Sequence, residues 1–380
     1  MFGTSKKFYA FALVAVLLLA LVVVVAAGCG SSSTTTTTAA PATTTTAAAG
    51  TTTTAAAGTT TTAAGESTTT TAVNATGLAG KHFAYVTIYT ALAAGLQQQL
   101  TLVNEIEKRG GTVTVTSGNG DYNKVITLWE QAISQKVDAI INGAVPSNML
   151  GSAITDAKAA GIPVFVSNGQ PDPNEVAASH QNATEMDNNL CDIFLNAIGN
   201  KGNIVEATQS DDWLIVQISA AIHAKIGAVP AVKVLQDVHP DHKNDVDALK
   251  TAMTAILTAN PTPGSVVGGI AAWGDPAAGM AQACEAANRT EVKIVGSDGI
   301  EAEMEQMLLP KPVEIATMHQ DWVGLATKLC DTMVAWFDGS NKQYGQEYVV
   351  PSAIIDTPAL AQEHLTYLQN FVASLSTTTT

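Results

Sequence analysis

SVVGGIAAWGDPAAGMAQACEAANRTEVKIVGSDGI, residues 265–300, decides the fold. Val266–Trp273 is an apolar run that ends in Gly274-Asp275-Pro276, and small residues from Ala277 to Asn288 follow with helical character. A second apolar run, Val292–Val295, ends in Gly296-Ser297-Asp298-Gly299. Apolar run, helix, apolar run is a βαβ unit whose strands are buried on both faces. Ligands meet such a sheet at the carboxyl ends of its strands. Asp275 and Asp298 stand at those two ends, each beside Gly or Pro that suits a tight turn. Each Asp either caps the helix that follows or contacts a ligand, and the two roles are compatible.

The same rhythm extends to both sides. Upstream, strands are expected at Phe83–Ile88, Thr112–Thr116, Val137–Asn142 and Ile162–Val166. Helices between them cover Leu92–Lys108, a stretch from Asp121, and Ser147–Ala160. After Val176–Asn182 the rhythm restarts with a second set, with strands at Asn203–Thr208, Val232–Asp237 and Val313–Met318 around the opening unit. Trp322–Phe337 and Ala359–Leu375 read as helices, and Tyr348–Ile355 as one late strand. The expected class is α/β, with two doubly wound parallel sheets in tandem.

The 380-residue chain begins differently. Lys6 and Lys7 precede a continuous apolar run, Phe8–Ala27, and then Gly28-Cys29. This is the pattern of an export signal over residues 1–28. Small residues directly before Cys29 resemble the bacterial lipoprotein box, which makes Cys29 the candidate lipidation site and ties the chain to a membrane. Ala26 stands where that box more often has Leu, and a run of ~20 apolar residues is also long enough to span a bilayer uncut. Residues 29–78 repeat TTTTAAAG, hold no large apolar residue before Val73, and read as a flexible stalk. Its root-mean-square reach is roughly 35–40 Å. The tail, residues 377–380, is similar. Losing Lys6 and Lys7 takes the formal charge from −15 to about −17, which argues against a nucleic-acid partner.

Four segments resemble the type 1 solute-binding proteins of ABC importers, in particular the ribose-like sugar-binding branch. They are KVDAIINGAVPSNMLGSAITDAKAAGIPVFVSN (136–168), AAWGDPAAGMAQA (271–283), KIVGSDGI (293–300) and IATMHQDW (315–322). The resemblance spans 81–375. It implies two lobes joined by three crossovers, near Asn182, Gln320 and Gln346, that close on a small polar ligand. The first lobe is then 81–182 with 321–345, and the second 183–320 with 346–376. It further implies delivery to an ABC transporter permease, a monosaccharide as the leading ligand, and no catalytic residues. A nucleoside, polyol or signalling molecule is the alternative ligand.

Carried over position by position, Asp298 matches the family's acceptor of sugar hydroxyls, and Gln320 its hinge Gln. Asn168 stands where the family usually has Asp, Gly169 where it has Arg, and Gly274 where it has Asn. No Arg lies in Trp213–Ala221, where the family places another. Tyr89, Trp213 and Trp273 are candidate rings for stacking on a sugar, and each could instead be core. Trp129 and Trp322 read as helix-face packing. Asp211 and Asp212 are either a helix N-terminal pair or ligands. His242 is a further site candidate, because the family feeds an aromatic into the cleft from that loop. His239, Asp241, His242 and Asp245 otherwise read as a solvated turn, so no metal site is expected, and no cofactor. Cys191, Cys284 and Cys330 are expected as buried free thiols. No GxSxG elbow or phosphate-cradling Gly loop occurs.

Overall fold

In the computed structural model, residues 77–89, 92–210 and 212–376 are described; the signal, Cys29, the stalk to residue 76, Asp211 and the tail from 377 lie outside them. The β-branched and apolar runs form two six-stranded sheets. The first is built from β1 (His82–Thr87), β2 (Thr112–Ser117), β3 (Ala139–Gly143), β4 (Val164–Ser167), β5 (Ala177–Gln181) and β11 (Gln346–Val350), in the order β11-β5-β4-β3-β1-β2. All its pairings are parallel. The second takes β6 (Gly202–Ala207), β7 (Val232–Val238), β8 (Gly268–Ala271), β9 (Lys293–Val295), β10 (Glu314–His319) and β12 (Ala353–Ile355), in the order β12-β10-β9-β8-β6-β7. Only β12 runs antiparallel to its neighbour, β10.

Helices cover both faces, as parallel crossovers require. They are α1 (Ala93–Lys108), α2 (Tyr122–Gln135), α3 (Ala153–Ala159), α4 (Ala183–Ala197), α5 (Trp213–Gly227), α6 (Asp245–Ala259), α7 (Gly274–Ala286), α8 (Glu301–Met307), α9 (Trp322–Phe337) and α10 (Pro358–Ser376). The second sheet therefore has two cores. Ile204 and Ile270 pack under α4 and α5, while Val205 and Ala271 face α6 and α7. Cys191 belongs to the first of these and Cys284 to the second; both, with Cys330, are buried and take part in no disulfide among the described residues. Among the described residues no helix is long and apolar enough to cross a membrane.

Two expectations change. The helix expected over Ser147–Ala160 is a 3-10 turn, Ser147–Met149, followed by α3. Gly151 between them takes φ 56°, a left-handed conformation that breaks a helix. The strand expected over Tyr348–Ile355 is two strands in different sheets, with Pro351-Ser352 between them. Proline has no N–H to continue a ladder, so the chain leaves the first sheet there. Residues 346–350 thus belong to the first sheet, and the last crossing lies at 351–352 rather than near Gln346. The other crossings follow Gln181 and His319.

The layer behind β8 depends on a close helix approach. A Cβ on Gly279 of α7 would lie 2.2 Å from the Val246 carbonyl oxygen of α6. That neighbour is backbone and cannot swing away. Gly279→Ala should destabilise the chain by about 1–3 kcal/mol, read from urea unfolding midpoints. An unchanged midpoint would show that the two helices are not held this close.

Candidate functional site

The strand ends of both sheets converge on one cavity of about 90 Å3. Tyr89, Asn168, Trp273, Asp275, Asp298 and Gln320 all line it. Its floor is a hydrogen-bond chain that runs from one lobe to the other. Asn168, after β4, donates from Nδ2 to Gln320 Oε1 at 3.1 Å. Gln320, after β10, donates from Nε2 to Asp298 Oδ1. Asp298 Oδ2 accepts the Gly274 N–H at 3.1 Å. Asn168 and Asp298 hold φ of 54° and 133°, positive values that side chains rarely adopt, so both turns are strained into place.

Asp298 does cap a helix, though not the one that follows it. Ile300 is the N-cap of α8, whereas Asp298 serves the first residue of α7. Burial pushes its carboxyl well up, and neighbouring Glu303 adds to this; the Gly274 N–H and the Gln320 amide work the other way. Asp275 is not an N-cap either. Trp273 holds that position, and Asp275 sits in the first turn of α7. Its carboxylate accepts from the Ala93 N–H of the first lobe. Burial, then repulsion from Asp245, raise it to about 6. Asp275 Oδ2 is buried without a hydrogen-bond partner.

The aromatic candidates separate. Trp273 lines the cavity and anchors its indole by donating Nε1–H to Asp245 Oδ2 at 3.0 Å. The Tyr89 ring stands 5.0 Å from the His242 ring, which in turn stands 5.1 Å from Trp273. His242 is 2% exposed and lies behind this wall, outside the cavity lining. Its Nδ1 is 3.3 Å from Asp245 Oδ2, so the turn expected to be solvated is buried at that end. Trp213 also falls outside the lining; it meets His180 of the first lobe edge-on at 5.1 Å. Asp212 lines the cavity while capping α5 through the Leu214 and Ile215 N–H groups.

Gln98 and Trp322 are among the lining residues that escaped the sequence reading. Gln98 of α1 donates to the Ser167 carbonyl at 2.7 Å and fixes the loop before Asn168. Nothing distinguishes it within Gln97-Gln98-Gln99. Trp322 reads as helix packing and does pack with Ile300 and Leu325, yet it also lines the cavity, and its Nε1–H is buried without a partner. The family departures have local causes. A Cβ on Gly169 would meet Val166 Cγ1 at 2.8 Å and the Ala144 Cα at 3.3 Å. On Gly274 it would meet Glu303 Oε2 at 2.5 Å. Neither position has room for a side chain.

A family model described as periplasmic binding protein domain matches residues 97–341. The chain belongs to the periplasmic binding protein family. Within that family it is 29% identical over 220 residues to a D-apiose import binding protein of Actinobacillus succinogenes, covering 57% of this chain and 69% of that one. It is 29% identical over 275 residues to a xylitol-binding protein of Mycolicibacterium smegmatis, covering 68% and 73%. An ABC transporter solute-binding protein from Agrobacterium vitis, solved with bound allitol, shares the fold at TM-score 0.67 and 24% identity, over 75% of this chain and 98% of that one. Such binding proteins work outside the cytoplasm with a transporter permease, and the family's members are transport proteins rather than enzymes. A second model, the new glue protein family, matches residues 7–87, most of them in the Thr/Ala-rich stretch.

Proposed function

We propose that this protein captures a neutral sugar or polyol of about five carbons between its lobes and delivers it to an ABC transporter permease. The observation that carries the reading is a pair of unmatched buried polar atoms on residues that line the cavity, the acceptor Asp275 Oδ2 and the donor Trp322 Nε1. Buried polar groups are costly unless paired, and a ligand hydroxyl can both donate and accept. Asp212, Asp275 and Asp298 line the cavity and, among the described residues, no Lys or Arg does. Carboxylates suit hydroxyl donors and repel phosphates and carboxylates. The cavity is small beside drug-sized sites of roughly 300–1,000 Å3. The relatives named for D-apiose and xylitol supply the ligand class, one a sugar and one a polyol.

The reading assigns no catalytic residue. In it, Met1–Gly28 is the export signal, Cys29 carries the lipid, and 29–78 is the stalk; support comes from Lys6-Lys7, the apolar run and the small residues before Cys29. Thermal unfolding of residues 78–376 against pentoses, pentitols, hexoses, nucleosides and sugar phosphates tests the ligand class. A ligand at 100 times its Kd adds about 2.7 kcal/mol, hence a shift of about 4 °C. A neutral pentose or pentitol should give it and its phosphate should not. A shift confined to nucleosides or to anions would overturn the assignment.

A further inference from the structure

We propose that Glu206, His223 and Asp237 form a divalent-cation site, suited to zinc, between the second sheet and α5. None of the three lines the cleft. The register of the parallel pair β6–β7 sets Glu206 directly opposite Asp237. Like charges facing each other across adjacent strands are destabilising. Helix α5 covers the same face, since Ile204 packs with Leu214, Ile218 and Ile222. It brings His223 Nε2 to 3.1 Å from Asp237 Oδ2 and 3.4 Å from Glu206 Oε2. One ligand atom from each residue lies within 4.8 Å of the other two. Zinc bonds of ~2.0–2.2 Å in a tetrahedron separate ligand atoms by ~3.3–3.6 Å, close to these distances.

Two further observations point to a ligand. Glu206 is 3% exposed, and its Oε1 has no hydrogen-bond partner. A desolvated carboxylate with an unmatched oxygen is costly unless a cation meets it. The surroundings also orient the other donors. Thr208 Oγ1 lies 2.8 and 2.7 Å from the two Asp237 oxygens. His239 Nδ1 is 2.9 Å from the Thr208 carbonyl oxygen. A carbonyl only accepts, so Nδ1 carries the hydrogen and Nε2 is left as a lone-pair donor, the arrangement that metal-binding imidazoles use. That Nε2 is 3.7 Å from Asp237 Oδ2 on a half-exposed side chain, within reach as a fourth ligand. Imidazole with carboxylate favours zinc; calcium takes oxygen ligands alone.

The sequence hides this cluster. His239 reads with Asp241, His242 and Asp245, but the fold turns His242 and Asp245 toward Trp273 and leaves His239 beside Asp237. A bound cation would tie β7, the edge strand, to β6 and to α5, whose first turns carry Leu214 and Ile215 into the cleft wall.

The competing account is an ion triad in which a protonated His223 bridges the two carboxylates and no metal binds. Zinc chloride titrated into the chelator-treated full chain separates the two, with bound metal counted after dialysis, thermal unfolding followed, and cobalt substituted as an optical probe. The proposal expects one zinc per chain, a rise in Tm of about 5 °C or more at saturation, and tetrahedral cobalt absorption. His223→Ala and Glu206→Gln should each remove stoichiometric zinc, and Thr208→Val should weaken it about 10–100-fold. Glu206→Gln preserves shape, so it keeps the test open if the alanine variant folds poorly. No retained zinc in the parent chain, or zinc retained equally by both variants, would overturn the proposal in favour of the triad.

Discussion

Asp298→Asn should weaken ligand binding at least about 30-fold while leaving the chain folded. The substitution keeps the shape and replaces one oxygen by an amide. Both oxygens already serve donors: Oδ1 takes Gln320 and Oδ2 takes Gly274. Whichever position the new NH2 occupies, a donor faces a donor inside a buried site, at about 1–3 kcal/mol. Turning Gln320 to avoid this breaks its bond from Asn168 and loosens the floor between the lobes. The ligand also loses a carboxyl partner, and a hydrogen bond left unmade in a buried site costs about 1–3 kcal/mol. Together these give two orders of magnitude or so in Kd, and calorimetric titration of parent and variant with the best ligand of the panel measures it. Equal affinities would mean that Asp298 is only the cap of α7. Gln320→Leu should lower affinity less, since it leaves the Asp298 carboxylate in place.

Glu314→Gln should raise stability, and by more at pH 8 than at pH 5.5. Glu314 and Glu303 are both fully buried, and among the described residues no lysine or arginine answers them. Glu303 accepts from Thr317 Oγ1 at 2.7 Å and from the Ile300 N–H at 2.9 Å. Burial, then the Glu303 charge, push Glu314 well up, so Glu314 keeps its proton, and both of its oxygens are buried without a hydrogen-bond partner. Burial also raises Glu303 to about 7, Asp275 to about 6 and Glu175 to about 8. The sign follows from linkage. The unfolded chain releases these protons near pH 4–5, while the folded chain holds them. Each pH unit between the unfolded and folded values therefore costs about 1.4 kcal/mol per group. Stability falls as pH rises from about 5 to 8. His319, depressed to about 4 by burial, acts oppositely below about 6.5, where only the unfolded chain takes up its proton. A glutamine at 314 keeps the shape of the protonated acid and has no proton to lose. The expected gain is about 5 °C or more in Tm at pH 8 and little at pH 5.5. A variant less stable at pH 8, or an equal change at both pH values, would contradict a proton held on buried Glu314.

Much of this architecture is written locally. Val137–Asn142 and Ile162–Val166 are continuous apolar runs between turn residues, and buried parallel strands leave that trace. Asp298 could be found because its flanking Gly and Ser mark a turn at a strand end. What escaped depends on partners distant in sequence. Tyr348–Ile355 is uniformly strand-like apart from Pro351, and nothing local says that its halves join different sheets. Trp322 opens a helix with an apolar face, and only the placement of that helix shows that its indole borders the cleft. Trp213 opens another, whose rotation turns its ring to His180 instead. The Glu303–Glu314 and Glu206–Asp237 pairs arise from register and packing, which no spacing rule reports.

A crystal structure of the chain grown with the panel's best neutral pentose or pentitol tests the central claim most directly. The account predicts one ligand between the lobes, with hydroxyl oxygens within about 3 Å of the Asp298 and Asp275 carboxylates and of Trp322 Nε1. Ligand bound elsewhere, or in the cleft with those three groups unengaged, would contradict it.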